Sequence, residues 1–69
     1  MMDANMLRAE IVRNGMTQRT LAKKIGVSES TFIRKMKAGT FGIDEAELMI
    51  NILGISDPVA VFFTSKVTR

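Results

Sequence analysis

Residues 17–39 read TQRTLAKKIGVSESTFIRKMKAG, and this stretch decides the fold. Its apolar residues recur at helical spacing on both sides of Gly26. Leu21, Ala22 and Ile25 share one helix face, and Phe32 and Met36, four apart, share another. Thr17 and Ser28 stand where N-caps belong, since a hydroxyl there accepts from a backbone N–H with no partner inside the helix. Gly26 and Gly39 stand at the far ends, where a left-handed residue stops a helix. Two short helices are predicted, joined across Gly26, Val27 and Ser28.

The residue types in the joint suit a close packing of the two helices. Ala22 stands where they approach most nearly, so a small side chain is required there. Gly26 opens the turn, Val27 plugs the angle, and Leu21, Ile25 and Phe32 bury the inner faces. This is helix-turn-helix spacing, over residues 17–38. Further out, Leu7, Ile11 and Val12 form the stripe of a first helix, capped by Asp3 or Asn5 and stopped at Gly15. A fourth helix is predicted from an Asp44 cap, with Leu48, Met49, Ile52 and Leu53 inward and Gly54 at its end. Asp57 followed by Pro58 opens a short fifth helix through Val59, Phe62 and Phe63. A polar tail that frays or pairs as a strand follows. The expected fold is all-α, a compact bundle of about five short helices in one domain spanning residues 1–69.

Composition narrows the function. A chain of 69 residues buries only about 60% of its unfolded surface, so its own core confers marginal stability. With no Cys it has neither disulfides nor thiolate metal sites, and with no His it lacks the usual general base and metal ligand. Seven carboxylates, lysines and hydroxyls are a poor catalytic inventory, so no enzyme, no metal, no cofactor and no small-molecule ligand are expected. The 46% hydrophobic content argues for a packed domain. No apolar run approaches the roughly 18 residues that span a bilayer, and Met1, Met2 and Asp3 do not begin a basic leader with an apolar block. A cytoplasmic protein without membrane contact is expected.

The net charge of +3 is unevenly placed. Residues 13–37 carry seven Lys and Arg against Glu29 alone, a net +6; residues 38–57 carry Asp44, Glu45, Glu47 and Asp57 and no base, a net −4. That asymmetry suits a molecule with one face on a polyanion. Charge alone fits an ordinary solvated helical surface equally well.

Gln18, Ala22, Gly26, Val27, Ser28 and Phe32 sit at a spacing that resembles the Cro/CI-type (Xre-like) helix-turn-helix of phage repressors. Residues 26–39, GVSESTFIRKMKAG, are similar to the recognition helix of Cro members, including the Ala-Gly ending. Leu53, Gly54, Ile55 and Ser56 are similar to a segment near the end of many Xre domains. The resemblance covers about residues 5–57. Cro itself finishes in β-strands, whereas this pattern stays helical through helix four, so the all-helical, lambda repressor-like domain is the better match. The resemblance implies a phage or prophage transcriptional regulator that represses by occupying a pseudo-palindromic duplex DNA operator as a homodimer.

Contacts follow from both lines of reasoning. With Phe32 and Met36 inward, about 100° per residue puts Ser30, Ile33, Arg34 and Lys37 on the opposite side, with Glu29 and Thr31 flanking in the first turn. The resemblance assigns base contacts to Glu29, Ser30, Thr31, Ile33, Arg34 and Thr40. Arg34 suits bidentate bonding to guanine or a phosphate contact; Ile33 suits a thymine methyl or the core. Glu29 suits cytosine N4 or simply the positive helix N-terminus. Gln18, at the start of its helix, is the phosphate ligand that the resemblance implies, joined by Arg19, Lys23, Ser28, Lys35 and Lys37. Arg13 and Lys24 read as solvated surface. Phe41, Val59, Val61, Phe62, Phe63 and Val67 exceed what so small a monomer hides, placing an expected dimer contact in the C-terminal third, residues 55–69. The competing function is a protein-interaction module on the same fold, antitoxin-like or an antirepressor partner.

Overall fold

The computed structural model describes residues 2–63. Among them the chain forms five helices and no strand: α1 (Ala4–Arg13), α2 (Gln18–Ile25), α3 (Glu29–Ala38), α4 (Ile43–Leu53) and α5 (Pro58–Phe62). The all-α expectation is met. The expected tail at 64–69 and Val67 lie outside the described residues. No described helix is long and apolar enough to cross a membrane.

Local chemistry sets the boundaries. The side chains of Asp3, Thr17, Ser28 and Asp57 each accept from the backbone N–H three residues on, at 3.1–3.2 Å, which closes the N-termini of α1, α2, α3 and α5. Gly26 and Gly39 end α2 and α3 at φ +85° and +72°, angles at which any Cβ is strained. The fourth helix corrects the expectation. Its N-cap is Gly42, two residues before Asp44, and the Gly42 N–H donates to Glu45 Oε1 at 2.8 Å. A glutamate three residues past the cap closes the first turn from inside, and Asp44 becomes a second anion in that turn.

α2 is the hub, packed against α1, α3 and α4, while α5 folds back on α1. Leu7, Leu21, Phe32, Met49, Leu53 and Val61 are the largest fully buried side chains, so all five helices contribute. Val27 packs against this core as the joint between α2 and α3 requires. Phe41 packs against Phe32 with ring centroids 5.2 Å apart and ring planes tilted by 53°. Among the described residues no polar or charged residue is buried.

Three inward stripes differ from expectation. Val12 is 73% exposed, because Leu7 and Ile11 already fill the core face of α1. On α4 the inner face is Ala46, Met49 and Leu53; Leu48 is exposed and Ile52 half-buried. On α5 the inner pair is Val61 and Phe62, leaving Val59 and Phe63 outside. The C-terminal apolar surplus is therefore smaller than expected. Phe41, Val61 and Phe62 serve the monomer, and Val59 and Phe63, four apart, face out.

Candidate nucleic-acid interface

The candidate site is built on α3, whose orientation is fixed by two anchors. Phe32 is fully buried and Met36 nearly so. Burial of each side chain stabilises by about 1.5–3 kcal/mol, so rotating the helix about its axis is costly. The opposite side must then face out. Glu29, Ser30, Ile33, Arg34 and Lys37 are all exposed, and Thr40 is exposed just beyond the Gly39 stop. Arg34 and Lys37 make no ion pair with any described residue. Ile33, 38% exposed, stands outside the core cluster, which removes the reading of it as a core residue.

The first turn of α3 is held by its own hydroxyls. Ser28 Oγ accepts from the Thr31 N–H at 3.1 Å and donates to Thr31 Oγ1 at 2.9 Å; Ser28 and Ser30 hydroxyls lie 3.3 Å apart. Thr31 is half-buried, so of the expected base readers it is the one most taken up by capping. Ser28 and Ser30 remain exposed.

α2 lies directly against α3 and brings a second set of groups to the same pair of helices. Gln18 is the first residue of α2, half-buried beside the Thr17 cap. It borders a shallow cavity of about 290 Å³ lined also by Arg8, Ile11, Val12, Met16 and Thr17. Arg19, Lys23 and Lys24 are exposed and form no ion pair with described residues. The unpaired cations of the described chain therefore lie chiefly on α2 and α3.

Lys35 differs from its neighbours. Its Nζ donates to Glu45 Oε2 at 2.6 Å, across from α3 to the first turn of α4. Both side chains are mostly covered, at 30% and 17% exposure. The Lys35 hydrogen bond, and then the Gly42 N–H, hold the Glu45 carboxyl below the usual carboxylate range. The expected phosphate contact is thus engaged inside the molecule.

Sequence reasoning missed a second polar seam, at the C-terminus of α4. Arg13 Nη2 donates to the Leu53 carbonyl at 3.1 Å and pairs with Glu10, and Asn14 Nδ2 donates to the same carbonyl at 2.9 Å. An Arg-Asn pair at the end of α1 was the available signal, since donors there suit orphan carbonyls. Which helix supplied the carbonyl was not encoded locally. No family model matches the chain, no curated protein is significantly similar to it, and no solved structure matches it.

Proposed function

We propose that this chain is a sequence-specific double-stranded DNA-binding transcriptional regulator, a non-enzymatic repressor of Cro/CI type acting in the bacterial cytoplasm. One observation carries the reading: α3 buries Phe32 and Met36 while it holds unpaired Arg34 and Lys37, with Ile33, on its outward side. A helix that reads the major groove needs a rigid inner anchor and an outer face of long donors with room for an apolar contact. Arg34 is assigned to guanine O6 and N7, and Ile33 to a thymine methyl. Glu29, Ser30 and Thr40 border the base-reading face, and Thr31 supports it through the cap. Gln18, Arg19, Lys23, Ser28 and Lys37 are assigned to phosphates, a sequence-independent term that weakens as salt rises. A two-fold pair of such helices about 34 Å apart fits a pseudo-palindromic operator.

Selection from random duplex DNA tests this reading. The wild-type chain is expected to enrich one motif at physiological salt. Arg34→Ala is expected to lose about 1–3 kcal/mol on that motif and to relax one base position. Absence of any enriched motif, or an Arg34→Ala chain with unaltered preference, overturns it in favour of the protein-interaction module.

A further inference from the structure

We propose that Glu45 acts as an internal stand-in for a DNA phosphate, holding Lys35 out of the DNA contact and so ending the phosphate footprint of α3 short of α4. The inference rests on the DNA-binding reading above. Five of the six Lys and Arg residues on α2 and α3 have no ion-pair partner among the described residues; Lys35 alone has one. What it meets has the chemistry of a phosphate oxygen: an anionic oxygen 2.6 Å from Nζ. That oxygen is positioned in advance, because the other Glu45 oxygen accepts the Gly42 N–H at 2.8 Å and fixes the carboxylate across the start of α4.

The surroundings point the same way. A helix N-terminus attracts anions, and that of α4 carries its own in Asp44 and Glu45. An open depression of about 470 Å³ at this corner is lined by Lys35, Gly42, Ile43, Asp44 and Glu45. An approaching phosphate meets two carboxylates there and one lysine already neutralised. To recruit Lys35, DNA would have to break the Lys35–Glu45 bond and leave Glu45 facing a phosphate. Glu45 is accordingly a positioning residue that limits non-specific affinity. Glu45→Gln keeps an oxygen for the Gly42 N–H and removes the charge that holds Lys35.

The test is a salt titration of duplex binding for the wild-type chain, Lys35→Ala, Glu45→Gln and the double variant, each checked for helicity by circular dichroism. A neutralised phosphate contributes about 0.9 to the slope of log K against log salt. Lys35→Ala is expected to keep the wild-type slope. Glu45→Gln is expected to steepen it by about 0.9 and to bind random-sequence duplex several-fold more tightly at low salt. The double variant is expected to return to the wild-type slope. A slope that flattens in Lys35→Ala shows Lys35 already on a phosphate and overturns the inference while leaving the DNA-binding reading intact, as does a folded Glu45→Gln with an unchanged slope. A wild-type chain without duplex binding overturns both.

Discussion

Asn14 makes two side-chain hydrogen bonds that join two helix ends. Its amide reaches the Glu10 carbonyl at 2.8 Å and the Leu53 carbonyl at 2.9 Å, so one side chain closes the end of α1 and the end of α4 together. Replacement by alanine leaves the Leu53 carbonyl to Arg13 alone, in a partly buried setting. Asn14→Ala is expected to cost about 1–2 kcal/mol, and a thermal melt checks it, since each kcal/mol moves Tm by about 4–8 °C in a chain this size. Arg34 behaves differently. It is exposed and forms no ion pair with any described residue, so its removal is expected to alter binding and leave the melt almost unmoved.

The helices were legible in the sequence because their signals are local. Hydroxyl caps at Thr17 and Ser28, glycine stops at Gly26 and Gly39, and the proline after Asp57 each act within one turn, and all stand where they were expected. The inward faces were less legible, because they depend on which helix lies opposite. Val12 and Leu48 are as apolar as their buried neighbours, and the placement of the helices packed against α1 and α4 decides that Ile11 and Met49 go inside instead. Lys35 illustrates the same limit at the site, its partner being ten residues away on another helix. Gly26 supplies the test at this scale. A Cβ there would meet nothing within 4 Å, so Gly26→Ala carries backbone strain without a clash. The expected loss is about 1–2 kcal/mol, measured by denaturant unfolding, with the buried inner faces of α2 and α3 unchanged. A loss well above that range would mean that the joint is packed more tightly than its glycine suggests.

For the molecule as a whole, the free apolar surface of α5 reduces to Val59 and Phe63, 63% and 59% exposed and four residues apart. Our proposal of a two-fold dimer places its contact on this pair. At concentrations low enough to dissociate the wild-type dimer, Val59→Asp with Phe63→Asp is expected to leave the melt within about 0.5 kcal/mol of wild type, since exposed positions contribute little to the monomer fold. Sedimentation is expected to show the dimer replaced by monomer. A wild-type chain that is already monomeric at tens of micromolar, without DNA, removes the dimer from the proposal.

One backbone hydrogen bond bears on how the chain assembles. The Asp3 N–H donates to the Val61 carbonyl at 2.7 Å, joining positions 58 apart, whereas α2 meets α1 and α3, its immediate neighbours in sequence. Contacts between adjacent helices close small loops and form early; a contact that spans nearly the whole domain carries a larger entropic cost and is repaid only once the rest is in place. Docking of α5 on α1 is therefore expected to come late in folding and to open readily, as weak hydrogen-exchange protection of the Asp3 amide would show. In the dimer we propose, the contact at Val59 and Phe63 is then complete only once α5 has docked on α1, so association is expected to follow folding.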